Sequence, residues 1–133
     1  MLYNNNNGGE IMSLLESGEN YLESILVLSL RQKEIHAIDI VNYLGYSKPS
    51  VSIMLKKLKE AGYIIIDGAS HIFLTDSGLE VANKIYNRHK LLKDFLISIG
   101  VSEAVAEDDA CKIEHDLSDE TIEAIKKILV KES

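Results

Sequence analysis

Near the C-terminal end, Cys111, Glu114 and His115 offer sulfur, oxygen and nitrogen at spacings of three and four. On a helix those spacings put all three side chains on one face, one turn apart. A thiolate, a carboxylate and an imidazole together suit a late first-row divalent ion such as Fe, Mn, Co or Zn. A buried cysteine beside a surface Glu-His pair would leave the same trace. The surrounding chain must therefore decide between the two.

Length and composition set the frame. The 133 residues allow one domain, or two small ones sharing a helix. Trp is absent and aromatics make up 6%, so the core must be built from Ile, Leu and Val. A single Cys excludes an internal disulfide and fits a reducing cytoplasm, where the thiol stays available to metal. No apolar run reaches the roughly 20 residues that span a bilayer, and no secretory signal opens the chain. Residues 1–12 begin as a polar, Asn- and Gly-rich stretch expected to be a disordered tail.

The net charge of −7 argues against nucleic acid until its distribution is read. Residues 31–62 hold six bases and three acids, whereas residues 101–133 hold ten acids and four bases. The basic block is local, and local charge is what meets phosphate.

The elements follow in order. Residues 17–31 read as a helix capped by Ser17, with Glu19 in its first turn. Asn20 and Glu23 share a face of it, either as a solvated acidic edge or turned toward the Cys-Glu-His group. Residues 36–46 make a short helix with Ile38, Val41 and Leu44 inward and Gly45 closing it. Ser47 caps the next helix, which tolerates Pro49 in its first turn and turns Val51, Met54, Leu55 and Leu58 inward. Lys56, Lys57 and Lys59 decorate its outside, and Gly62 stops it. A short helix, a tight turn and a capped second helix make a helix-turn-helix. Tyr63–Ile66 and His71–Leu74, joined by Asp67-Gly68-Ala69-Ser70, read as a β-hairpin, and a hairpin in that place is a wing. His71 reads as surface decoration able to touch phosphate.

Thr75-Asp76 caps a long helix over 76–99, with Leu79, Ala82, Ile85, His89, Leu92, Leu96 and Ile99 along one stripe. His89 in an apolar row is either a satisfied core histidine or a ligand presented from a dry wall. Ser102-Glu103 caps a helix running to about 116 that carries the Cys-Glu-His face. Ser118 opens the last helix, whose apolar side holds Ile122, Ile125, Ile128 and Leu129. The fold class is mainly α: a winged helix-turn-helix over 13–75, then a helical lobe over 76–133, joined by a long shared helix.

With these pieces in place, the chain resembles the diphtheria toxin repressor and manganese transport regulator family of metal-dependent repressors. The stretches that carry the likeness are Ser17-Gly-Glu-Asn-Tyr-Leu-Glu23, Ser47-Lys-Pro-Ser-Val-Ser52, Leu74-Thr-Asp-Ser-Gly78, Arg88 to Leu96, and Asp109-Ala-Cys-Lys-Ile-Glu-His115. The resemblance implies a homodimer whose N-terminal lobe binds a palindromic operator and whose C-terminal helices pair the subunits. It implies that an ion, Fe(II) or Mn(II) with Co(II), Ni(II) or Zn(II) as substitutes in vitro, links the first helix to the second lobe. The implied ligands are Asn20, Glu23, His89, Cys111, Glu114 and His115. Asn20 stands where the family usually has Asp or Met. Lys93 stands where several relatives have a carboxylate, which argues against a second ion. The chain ends short of the SH3-like domain of longer relatives.

On this reading the ion replaces repulsion among Glu23, Glu114 and a Cys111 thiolate with bonds, and its binding energy becomes coupling energy for DNA. The helix beginning at Ser47 enters the major groove. Ser47, Pro49, Ser50 and Ser52 lie near base edges, and Lys48, Lys56 and Lys57 serve phosphates. Two rivals remain: a metal-independent winged-helix regulator, and an enzyme with Cys111 and His115 as nucleophile and base. The second lacks an oxyanion-binding loop and an orienting third group.

Overall fold

A computed structural model describes residues 6–132. Its elements run α1 (Asn6–Ser29), α2 (Ala37–Leu44), α3 (Lys48–Glu60), β1 (Ile64–Ile66), β2 (Ile72–Leu74), α4 (Asp76–Ser98), α5 (Glu103–Ile113) and α6 (Asp119–Glu132). The chain forms two compact units, the first ending at Asn83 and the second beginning at Lys84. Among the described residues no helix is long and apolar enough to cross a membrane.

The first unit is a winged helix. Its α1 starts at Asn6, inside the stretch expected to be a tail, the first five residues of which lie outside the described range. Ser17 and Glu19 are therefore interior helix positions, not cap and first turn. Gly18 is buried, and a β-carbon there would come within 3.6 Å of Leu58. The Ser-Gly pair lies inside the helix, beside Leu58 of α3, and does not start it.

The turn into α3 is as its residues dictate. Gly45 takes φ +76° and its N–H donates to the Val41 carbonyl, ending α2 with a left-handed cap. Ser47 Oγ accepts from the Ser50 amide at 3.2 Å, so the helix opens on a satisfied donor. Val51, Leu55 and Leu58 are buried along the inner stripe of α3. In α2 the expected stripe is displaced. Ile40 is the fully buried residue, whereas Ile38 is 45% exposed. Both alternatives satisfy a helical period, and an eight-residue helix is too short for periodicity to choose between them.

The wing pairs antiparallel in the register Ile64–Leu74, Ile65–Phe73 and Ile66–Ile72. Ile64 and Ile72 face inward, as the alternation requires. Ile72 also donates its amide to the Ile35 carbonyl at 2.8 Å, tying the hairpin to the segment before α2. His71 is not decoration. Its imidazole lies 3.1 Å from Glu34 and 3.3 Å from Asp67, and its ring stands edge-on to His36. It binds the turn to the α1–α2 segment.

Thr75 joins wing to α4. Its amide donates to Tyr63 O at 3.0 Å, its hydroxyl donates to Gly62 O at 2.7 Å, and the same Oγ1 accepts from the Gly78 amide. The first turns of α4 thus belong with the winged helix. Further along, Ala82, Ile85 and Leu92 are buried as expected, but Leu79 and Ile99 at the two ends are 40% and 61% exposed.

In the second unit α4 ends at Ser98, and Gly100 in the turn beyond takes φ +105°. Leu92, Ala110 and Ile122, one from each helix, form the buried core, with Leu91, Ile113, Leu117 and Ile125 packed around them. Ser118 Oγ accepts from the Thr121 amide and opens α6. Ile122 and Ile125 point toward this core, while Ile128 is 46% exposed.

Candidate metal centre and DNA-binding helix

Helix α5 stops earlier than its sequence suggests. It ends at Ile113, Glu114 is the C-terminal cap, and His115 falls in the turn beyond. Glu114 keeps helical φ and ψ, so Cys111 and Glu114 share one side, while His115 lies in the turn just past the cap. No glycine or proline marks this stop. The cause comes from α4: the Arg88 guanidinium, nearly buried, donates to the carbonyls of Glu114 at 3.1 Å and Leu117 at 2.8 Å, and pairs with Asp119 at the start of α6. The end of a helix leaves carbonyls without intrahelical partners. Here a side chain twenty-six residues away in sequence satisfies one of them.

Glu114 meets His89 of α4. Nδ1 of His89 lies 3.0 Å from Oε1 of Glu114 and 3.8 Å from Sγ of Cys111. One ligand atom from each of His89, Cys111 and Glu114 falls within 4.8 Å of the others. Donors at metal bond lengths of about 2.0–2.3 Å stand roughly 3–4.5 Å apart around one ion, so this is the size of a coordination shell. His115 is partly buried but is not part of the group.

The cluster also suits a cation electrostatically. Glu114 is 1% exposed, and its Oε2 accepts no hydrogen bond. A buried carboxylate oxygen without a donor is costly, and a divalent ion is the partner that would satisfy it. His89, Cys111 and Glu114 supply nitrogen, sulfur and oxygen, a mixed set that fits a late first-row ion.

Sequence reasoning missed Glu107. It lies four residues before Cys111 on α5. Its carboxylate lies 2.5 Å from His89 Nε2, so it takes the ring nitrogen that faces away from Cys111 and Glu114. Lys93 holds the other Glu107 oxygen at 3.1 Å and reaches Glu103 at 3.6 Å. Burial pushes the Glu107 carboxyl up, but the Lys93 hydrogen bond and the neighbouring His89 charge outweigh it and leave it below its ordinary value. Lys93, chiefly through the Glu107 hydrogen bond, is held above its own. The acid-at-minus-four spacing from the Cys was the only signal available in sequence.

In the first unit, Asn20 and Glu23 are partly buried one turn apart on α1. Lys48, Pro49, Ser50, Ser52, Lys56 and Lys57 are all exposed on α3, and Ser47 is exposed at its cap.

A winged helix followed by a helical unit bearing a nitrogen, sulfur and oxygen donor group is the architecture of a metal-responsive regulator. Residues 13–72 match the family model described as the iron dependent repressor N-terminal DNA binding domain. Residues 75–131 match that described as the iron dependent repressor metal binding and dimerisation domain. The chain belongs to this family of metal-dependent, DNA-binding transcriptional repressors.

Among relatives, an HTH-type transcriptional regulator of Methanocaldococcus jannaschii is 37% identical over 87% of this chain and 94% of its own length. The transcriptional regulator MntR of Salmonella typhimurium is 36% identical over 80% of this chain and 68% of its own. The solved structure of the manganese regulator SloR superposes with a TM-score of 0.75 at 31% identity, over 84% of this chain and 53% of that one. The metal-dependent transcriptional regulator MtsR gives 0.78 at 31% identity, with the same coverage. The chain thus spans about half the length of these solved regulators.

Proposed function

We propose that the chain senses Fe(II) or Mn(II) with His89, Cys111 and Glu114 as core ligands and represses metal-homeostasis genes from a palindromic operator. The observation that carries this is the partnerless, buried Oε2 of Glu114 beside the His89 and Cys111 donors. His115, one residue past Glu114, and the first-helix pair Asn20 and Glu23 are proposed as further donors on the residue pattern alone. The name of SloR, a manganese regulator, supports Mn(II); the sulfur donor leans toward Fe(II). The protein would act in the cytoplasm as a homodimer, residues 13–75 holding DNA and 76–133 pairing the subunits.

The chain's own groups divide the work. Glu107 holds His89 by Nε2, which leaves Nδ1 turned toward Cys111 and Glu114. Arg88 fixes the Glu114 backbone while the Glu114 side chain stays free to change partners. A bound divalent ion supplies the positive charge that this buried carboxylate lacks. On α3, Ser47, Pro49, Ser50 and Ser52 sit at the end that approaches base edges, and Lys48, Lys56 and Lys57 reach phosphates.

Selection of an operator from random duplexes, followed by binding titrated separately with Fe(II) under anaerobic conditions, Mn(II), Co(II) and Zn(II), tests this. The reading requires metal-dependent binding that Cys111→Ala abolishes while the fold persists. Equal operator affinity with and without metal would favour the metal-independent alternative.

A further inference from the structure

The outward face of α3 carries a residue that the proposed DNA contacts do not include. With Val51, Leu55 and Leu58 buried, the opposite side of the helix is fixed by geometry. At about 100° per residue, Ile53 lies roughly 200° around from Val51, at the centre of the exposed face. Its neighbours there are Pro49 one turn before and Lys56 and Lys57 one turn after, all exposed. Ile53 itself is 58% exposed. It borders a shallow cleft with Tyr46 and Ser50, so its position on the helix is flanked, not isolated.

A single exposed aliphatic residue on a protein surface needs no explanation. This one is different in its setting. It occupies the middle of the face that a groove-entering helix turns to the bases, between groups suited to phosphate and base edges. It has neither donor nor acceptor, so it cannot read a hydrogen-bonding pattern. In the major groove the one apolar feature a base pair presents is the C5-methyl of thymine.

We propose that Ile53 is a specificity-determining residue that packs on a thymine methyl in each operator half-site. The proposal rests on the operator-binding function above. It assigns α3 a mixed readout: hydroxyls and lysines for polar edges and phosphates, and one branched side chain for a methyl group. It also implies discrimination against cytosine at that position, because cytosine carries only a hydrogen at C5, where thymine carries its methyl, and presents an N4 amino group in place of O4.

The test uses the metal-loaded full-length protein and an operator selected from random duplexes. Each thymine of the selected half-site is replaced in turn by deoxyuridine, which deletes only the methyl. Wild type is expected to lose about fourfold in affinity at one thymine per half-site, the value of one buried methyl. Ile53→Ala should bind the thymine and uridine duplexes equally at that position, and Ile53→Val should retain part of the difference. Because Ile53 is exposed, the variants should keep the wild-type circular dichroism and metal titration. Two results overturn the proposal: wild type indifferent to uridine at every position, or Ile53→Ala keeping the full penalty at the same base. A selection that yields no preferred sequence overturns the operator reading itself, and this inference with it.

Discussion

Glu107 and His89 are locked together: the carboxylate takes Nε2 of the ring at 2.5 Å, and the opposite nitrogen, Nδ1, is thereby presented to Glu114 at 3.0 Å. A ring nitrogen that donates to a carboxylate leaves the other as the lone-pair donor, which is the form a metal needs. Glu107→Gln should therefore lower metal affinity about 10–100-fold without unfolding the protein. Co(II) titration followed by its visible absorption reads this directly. An unchanged titration would remove Glu107 from the site's machinery.

Arg88 should matter for a different reason. Arg88→Met would leave the Glu114 and Leu117 carbonyls without their donor, at a cost of about 1–3 kcal/mol. Amide exchange at Asp116 and Ile122, which bond to Ile113 and Ser118, should quicken first. Arg88→Lys should not restore protection, since an ammonium cannot reproduce the fork that spans two carbonyls and Asp119.

Gly78 is irreplaceable for steric reasons. A β-carbon there would lie 2.0 Å from the Tyr63 carbonyl oxygen, which belongs to backbone and cannot step aside cheaply. Gly78→Ala should destabilise the winged helix by about 2–5 kcal/mol, measured by urea unfolding. Ser77→Ala, at the exposed neighbouring position, should change stability by less than about 0.5 kcal/mol.

The wing turn predicts an acid response. Asp67 accepts the His71 amide and then the Ala69 amide, and the facing His71 imidazole adds to their pull; together they hold its carboxyl below the ordinary 3.8 against a smaller opposing effect of burial. His71 is faced in turn by Glu34 and His36. A depressed carboxyl stabilises the folded state above its unfolded value, and that contribution is lost as pH falls through the folded value. Asp67→Asn should lower the melting temperature near neutrality and so flatten its fall below about pH 4, where the two proteins converge. A parallel acid limb in both proteins would contradict this.

The winged helix was largely legible in sequence because its signals are local. Ser47 before Pro49, Gly45 after Leu44 and the Asp67–Ser70 turn each act within a few residues. The start of α1 was not legible, because Ser17-Gly18 looks like a cap until α3 is known to pass beside it. The candidate metal centre was half legible. Residues 89, 111 and 114 could be named as candidate donors, but the place of His115 depended on where α5 ends. That end is set by Arg88, a partner no window of sequence contains. Glu107 stayed hidden for a related reason: an acid on a helix reads as solvated until the imidazole it holds is seen.

The lone cysteine of the chain is exposed and stands within the donor group. Every protein molecule therefore carries one alkylatable sulfur, placed where an ion would shield it. Iodoacetamide labelling followed by intact-mass measurement would count loaded and empty molecules in a mixture, with no fluorophore or engineered tag. The same placement makes oxidation of that sulfur a route by which peroxide could blind the sensor.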